Sequence, residues 1–426
     1  MIQVLSTAWA LLLGMGLLMV GNGLQGTVLG VRGEIEGFST LEMSFVMSAY
    51  FMGFLGGSRL APEMIRRVGH VRVFAALASF ISAVMIMYPL LTDPIAWFLG
   101  RAVIGFCFSG VYVTAESWLN NAASNENRGQ ALSLYMIVQM LGIISAQGLV
   151  LLGDPAGYET FVIASVVVSV SFAPILLSIS PTPAFDTTKP MTLRELMGKS
   201  PLGCVGMFLL GGVFSAQFGM ASVYGARAGL SLLEISTFVA AFYIGAIVLQ
   251  YPLGWFSDRM DRRFLILLAA AIGGASSLAG MLFGMSFPIL LVAAFFIGGM
   301  SNPLYSLLIA HTNDFLDRED MAAASGGLIF INGLGAITGP LITGWLMGDG
   351  IFGPPGFFLF IAALLFVMAG YAMYRMTQRP AIPVDETGTM SPLYPSASPV
   401  ALEVAQEVAI EAAEAEEDAQ DVSANA

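Results

Sequence analysis

The stretch Gln250–Arg263, QYPLGWFSDRMDRR, places five charges in the six residues from Asp258 to Arg263. On either side the chain is apolar and almost uncharged, over about 235–256 before it and 264–282 after it. An apolar run of about 20 residues spans roughly 30 Å of hydrocarbon as a helix. The stretch therefore reads as the wet turn between two membrane-spanning helices, and the same pattern recurs along the chain.

The whole composition agrees. Of 426 residues, 57% are hydrophobic and 11% charged, against about 25% charged in soluble domains, and the mean hydropathy is +0.79. Twelve apolar segments follow one another, at about 5–27, 42–62, 73–92, 95–117, 130–153 and 158–180, then 202–224, 235–256, 264–282, 286–310, 322–346 and 354–376. The expected fold is an all-α polytopic membrane protein of twelve transmembrane helices. Residues 1–180 are expected to form an N-terminal six-helix bundle, 181–201 a cytoplasmic linker, 202–376 a C-terminal six-helix bundle and 377–426 an acidic tail, flexible and solvent-exposed, with a docking segment along the weak apolar stripe Leu402, Val404, Val408 and Ile410 as the alternative. The first segment lacks a basic leader and runs past any cleavage site, so it reads as a spanning helix and not a signal peptide.

Charge sets the orientation. With the N-terminus inside, fourteen Lys and Arg residues fall on inner connections and only Arg32 and Arg227 on outer ones, a strong positive-inside bias. Both termini and the linker are then cytoplasmic. The formal charge of −12 is mostly the tail, where ten acidic residues and one arginine follow from Arg379 onward. No basic stripe exists for a nucleic acid. Cys107 and Cys204 lie in apolar segments without CxxC spacing, and His70 and His311 have no cluster of further ligands, so neither a metal nor a cofactor is expected.

The opening stretch has an echo. Ala61–Phe74, APEMIRRVGHVRVF, also joins the second and third helices of its half, about 192 residues earlier. Aligned, Pro62 meets Gly254 and Arg66 meets Asp258. Two parallel halves related about the membrane normal would give this spacing.

Gly254, Asp258, Arg259, Arg262 and Arg263 resemble the Gly-x-x-x-Asp-Arg-x-Gly-Arg-Arg signature of the major facilitator superfamily. Arg101 and Gly105 resemble its Arg-x-x-x-Gly signature in the fourth helix. Gly335, Gly339, Pro340 and Gly344 resemble its Gly-Pro packing motif, usually noted in helix five and here in helix eleven. With GNGLQGT in helix one and ESWLN after helix four, the chain most resembles the YcaD-like branch of bacterial transporters. The resemblance implies the major facilitator fold, with loops that lock an inner gate by touching a helix start in the opposite half. The first copy departs from the signature at Pro62 and Arg66, the second at Asp261. Gate-loop candidates are Arg66, Arg67, Gly69, Arg72, Gly254, Asp258, Arg259, Arg262 and Arg263. Asp258 is expected to face Arg128 at the start of helix five, since a helix N-terminus favours an anion. Arg66 and Arg67 are expected to face the acidic link NDFLDRED, through Asp317, Glu319 and Asp320. Solvated loops that merely obey topology are the alternative.

Inside the apolar segments, Arg101 stands alone as a deep cation; it costs roughly 2.5–3.5 kcal/mol on insertion scales and needs a partner or a task. Structural pairing, substrate contact, proton coupling and snorkelling all remain open for it. Glu116 lies about 22 Å further along the helix, either coupling a proton or closing a structural network. Asn22, Gln25, Gln139, Gln147, Gln217, Gln250, Asn302 and Asn332 spread amides over both halves, as a midline cavity needs, although packing serves any one of them equally well. No Walker sequence occurs, so ATP is not the energy source within this chain. The expected function is secondary active transport of a small solute by alternating access, with protons as the coupling ion, by a monomer in the bacterial inner membrane. The competing reading is a non-transporting receptor or scaffold.

Overall fold

The computed structural model describes residues 2–122, 127–177, 191–316 and 318–380, and in the tail 382–383, 387, 390, 393, 398, 400–402 and 404–406. Side chains of residues 2–7, 121–122, 318–319 and 322 are not described. The first half contains α1 (Ile2–Ile35), α2 (Thr40–Val68), α3 (His70–Leu90), α4 (Pro94–Ala122), α5 (Arg128–Leu149), α6 (Glu159–Ser171) and α7 (Ala173–Leu177). A short α8 (Leu193–Lys199) precedes α9 (Pro201–Ser215) and α10 (Ala221–Arg227), followed by α11 (Leu232–Ser257), α12 (Arg262–Phe283), α13 (Phe287–Asn313), α14 (Arg318–Leu346) and α15 (Gly356–Gln378).

Among the described residues eleven helices are long and apolar enough to cross a membrane. The eleven leave out α2, although its 29 residues have the length; Gly53, Gly56, Gly57, Ser58 and Arg59 dilute its hydropathy. Two apolar segments are broken rods. The sixth bends at Phe172, between α6 and α7. The seventh carries a π-helical turn, Ala216–Met220, between α9 and α10.

The 192-residue echo is built into the backbone. Helix α1 ends with Phe38 N donating to Gly33 O and Gly37 N to Glu34 O; Leu230 to Gly225 and Gly229 to Ala226 repeat this after α10. This double closure needs a residue in the left-handed region, and Gly37 and Gly229 supply it with φ of 78° and 73°. The next helices then start with matching capping boxes, Ser39 with Glu42 and Ser231 with Glu234, which satisfy otherwise orphaned N–H groups.

Packing repeats too. A Cβ on Gly53 would collide with Ala102 O, and one on Gly105 with Tyr50 O, so α2 and α4 approach backbone to backbone. Gly245 against Phe295 O and Gly298 against Phe242 O bring α11 and α13 together in the same way. Small residues permit such approach where lipid leaves no hydrophobic drive between helices. Gly335 and Gly339 press α14 onto α9, and Gly344 meets Ser44 of α2, while Pro340 lies beside Gly219.

At the face where α1 ends and α2 begins, called here the far face, the halves meet directly. Ser222 Oγ donates to Gly26 O at 3.3 Å, Ser48 Oγ to Ile337 O at 2.6 Å, and Arg227 lies 3.5 Å from Glu34. At the opposite face, where α2 and α11 end, described residues of the C-terminal tail lie between the halves. The exposed tail expected from its charge is not what those residues show: Ala401 and Leu402 are fully buried, and Leu393, Ser398 and Val404 nearly so. The apolar residues among the acidic ones pack inward.

Candidate functional site: a central cavity and a charged inner rim

Nine elements, including the π-helical turn, line a cavity of about 130 Å³ between the halves. From the first half α1 contributes Asn22 and Thr27, α2 Tyr50 and Phe54, α4 Arg101 and Tyr112, and α5 Gln147. From the second half come Phe214, Gln217, Phe218, Ser222, Tyr243 and Asn332. Of the expected intramembrane residues, Asn22, Arg101, Gln147, Gln217 and Asn332 thus converge on one space. Gln25 joins them by holding Arg101.

Arg101 is 4% exposed, and among the described lining residues it is the only charged one. Its Nη1 donates to Gln25 Oε1 at 2.7 Å and its Nη2 to Met47 Sδ at 3.4 Å, while its guanidinium lies 4.9 Å from the centre of the Tyr50 ring. The ring face attracts a cation, but no carboxylate among the lining residues neutralises it. Arg101 Nε and Gln25 Nε2 make no hydrogen bond to the described residues.

The amides opposite are held in place. Thr27 Oγ1 donates to Gln147 Oε1 at 3.0 Å, Gln217 Nε2 to Ser301 Oγ at 2.9 Å, and Asn332 Nδ2 to Met207 O at 3.0 Å. Gln217 sits in the π-helical turn, a local widening often found at functional positions. Phe214, Phe218 and Tyr243 stack successively, with centroids 5.8 and 5.2 Å apart. Sequence reasoning missed Phe214, Phe218, Thr27 and Ser222; nothing in an apolar helix distinguishes a cavity phenylalanine from a lipid-facing one.

Four candidates lie elsewhere. Gln139 is buried against Met136 Sδ, and Asn302 donates to Gly298 O one turn back, both outside the cavity lining. Gln250 reaches Ser306 Oγ at 3.3 Å nearer the rim at the tail face. Glu116 is also at that rim, accepting from Tyr135 Oη at 3.2 Å and from the backbone N of Ser398 at 2.8 Å.

The opening stretch forms a buried charge network at its own end of the second half. Arg262 donates to Asp314 and, at 3.1 Å, to Ser257 Oγ, so it ties α11 and α12 to the end of α13. Arg263 binds Asp261 Oδ2 at 2.8 Å and Arg379 O at 2.8 Å, tying α12 to α15. Partial burial would raise the Asp261 carboxyl, but its hydrogen bonds and charge contact with Arg263 outweigh this and hold it below the usual carboxylate range. Arg259 turns outward over Trp255, 4.3 Å from the ring centre. Asp314 was not among the expected residues; its place beside Asn313 in the acidic link was the available signal.

In the first half the expected loop is hardly a loop. Residues 61–72 are helical apart from Gly69, whose φ of 85° turns the chain between α2 and α3 in one residue. Arg66 and Arg67 both pair with Glu63 one turn back and are exposed, as is Arg72. The place equivalent to Arg262, 192 residues earlier, holds His70, whose Nε2 lies 3.0 Å from Ser117 Oγ of α4. Each half therefore staples the same pair of helices, once with an imidazole and once with an ion pair. Asp258 meets Met390 N at 2.9 Å and lies 3.7 Å from Arg262. Asp320 lies 3.7 Å from Lys199; Asp317 and the Glu319 side chain fall outside the described residues.

Two internally repeated sets of spanning helices around a polar midline cavity agree with what comparison finds. Residues 11–232 and 203–404 each match the profile of the Major Facilitator Superfamily. The chain belongs to this superfamily. It is 26% identical over 364 residues to "Uncharacterized MFS-type transporter YcaD" of Escherichia coli O6:K15:H31 (strain 536 / UPEC), covering 84% of this chain and 92% of that protein. The protein of the same description in Escherichia fergusonii is 25% identical over 342 residues, covering 79% and 88%. A mutant crystal structure of the nucleoside transporter NupG matches with a TM-score of 0.72 and 16% identity, covering 86% of this chain and 99% of that one. A further NupG crystal structure gives 0.70 and 14%, covering 88% and 100%. The superfamily protein described here is thus a multi-pass bacterial membrane transporter of the YcaD-like branch.

Proposed function

We propose that this superfamily member is a secondary active transporter that works by alternating access, with Arg101 as the recognition point for its solute. The observation that carries this reading is a buried guanidinium facing a cavity whose described lining has no carboxylate. A guanidinium presents planar donors suited to carboxylate and phosphate oxygens. The solute is accordingly small, with one anionic or strongly accepting group, and with a planar or apolar part that suits the Phe214–Phe218–Tyr243 stack. A space of about 130 Å³ is close to the roughly 150 Å³ that admits benzene, so a larger solute needs the halves to part.

In this reading α2 is the twelfth span, residues 1–180 and 202–376 are the two moving bundles, and the tail face is cytoplasmic. The fourteen-to-two distribution of basic residues supports that orientation. Glu116, buried at the rim, is the proton-coupling candidate. When the tail face closes, Asp258 exchanges its contact with Met390 for the start of α5 at Arg128, and the Arg262–Asp314 tie keeps the rim of the second half rigid while it moves. Reversing the charge of Arg66 should alter inner-gate accessibility if the first half carries an inverted lock.

The test is a thermal-stabilisation screen of the purified chain against small organic anions and neutral polar solutes. Hits are followed by flux in proteoliposomes with and without a proton gradient. Flux of a stabilising solute supports the transporter; binding without flux under any gradient supports the receptor reading.

A further inference from the structure

The tail residues between the halves form an ordered set of contacts with side chains of both. Met390 N donates to Asp258 at the end of α11. Leu393 makes two hydrogen bonds to the hydroxyl of Ser306 in α13, accepting through its O at 3.2 Å and donating through its N at 2.9 Å. Ser398 N donates to Glu116 of α4, and the backbone of Ala401 is directed at the same carboxylate. Gln406 closes the series, donating to Asn313 Oδ1 and accepting from Ser325 Oγ of α14, both at 3.1 Å.

The apolar faces match. Residues 400–402 and 404–406 are helical, and Ala401 and Val404 line a small gap together with Leu119, Ala131 and Leu132 of α4 and α5. Gly254 of the superfamily signature faces Met390, whose Cε would lie in ordinary van der Waals contact, at 3.4 Å, with a Cβ at that position. The two signature residues Gly254 and Asp258 thus both face the tail.

We propose that the described tail residues Met390, Leu393, Ser398, 400–402 and 404–406 act as a plug that seats in the cytoplasmic mouth between the halves and must leave before that mouth can close. It is bonded to α4 on one side and to α11, α13 and α14 on the other. While seated it occupies the space into which the halves would move, and it takes the acceptor, Asp258, that the proposed inner lock requires. The plug rests on the alternating-access reading for its consequence, though not for its existence. Withdrawal unmasks Glu116, Asp258 and Ser306 together, so one event exposes the vestibule and frees the lock.

The test uses the full chain in lipid nanodiscs, where both faces are accessible, and needs no solute. The paired variant Asn313→Cys with Gln406→Cys should be joined by a short thiol-specific linker within one molecule. In a separate variant, Ser306→Cys should react slowly with a small maleimide. Adding Leu402→Asp, which sets a charge in a fully buried position, should raise that rate at least tenfold. The native cysteines, both buried, give the background. Failure of the linker to join positions 313 and 406 would overturn the docking, and this variant pair leaves the buried Ala401, Leu402 and Val404 unchanged should Leu402→Asp misfold. Joining without a change in Ser306→Cys reactivity would overturn the plug. A confirmed plug in a protein that shows no flux would leave the plug standing and remove the transporter reading.

Discussion

Arg101 concentrates the cavity's charge on a side chain that cannot deprotonate at any working pH. Its orientation depends on Gln25, which accepts from Nη1, and on the Tyr50 ring. Removing a hydrogen bond to a charged group costs about 1.5–3 kcal/mol. Arg101→Met, unbranched and apolar, should therefore weaken solute stabilisation about ten- to hundredfold while the protein stays folded and monodisperse. Arg101→Lys should not restore binding, because a compact ammonium lacks the planar fork. Equal solute stabilisation in wild type and Arg101→Met would remove the residue from the site. The Arg-x-x-x-Gly spacing made Arg101 legible in advance, but the sequence could not reveal its partners. Gln25 lies 76 residues away, and the aromatic walls look in sequence like any lipid-facing helix.

Among the elements, the glycine contacts carry the clearest prediction. Gly105→Leu and Gly298→Leu drive a side chain into a facing carbonyl, and overpacking costs about 1–3 kcal/mol or more. Both should lower the melting temperature in detergent, and similarly, since they are equivalent positions of the two halves. Gly370→Ala, with nothing within 4 Å, should leave it unchanged or raise it slightly, since alanine favours helix by about 0.5–1 kcal/mol. A second prediction concerns the cap of α12. The Asp261 carboxyl is held below its ordinary value of 3.8, so its contribution to stability is present above that value and is lost as pH falls through the lowered one. Melting curves of wild type should accordingly drop on acidification below about pH 4, and Asp261→Asn should be less stable at neutral pH but flatter in that window. Parallel curves would show that the Arg263 pairing contributes nothing.

Element boundaries were the part least readable in advance. Apolar runs mark where hydrocarbon lies, whereas helices continue past it: α1 runs to Ile35 where the apolar segment stops near residue 27. The turn at Gly69 is a single residue, because one positive φ suffices when both flanking helices supply their own hydrogen bonds. The π-helical turn at Ala216–Met220 has no local signature, since AQFGM would serve equally in a regular helix.

At the scale of the molecule the 192-residue repeat was visible in one charged stretch, and the structure extends it to turns, caps, glycine contacts and the staple between two helices. The seating of the tail was only faintly legible, in the weak apolar stripe that includes Leu402 and Val404, because acidic composition dominates that region and three of its contacts are donated by its own backbone N–H groups, which every residue except proline carries. The direct ties at the far face and the interposed tail at the other describe halves joined at one face and separated by the tail at the other. The central claim is that the two halves exchange this arrangement for its opposite. Spin labels at Glu36→Cys with Asp349→Cys report the far face, and labels at Arg67→Cys with Arg259→Cys report the tail face. Electron–electron distance measurements in nanodiscs, with and without a stabilising solute and with the Leu402→Asp variant, should show the two distances changing in opposite senses, one lengthening as the other shortens. Distances that stay fixed in every condition, or that lengthen together, would contradict alternating access by this protein.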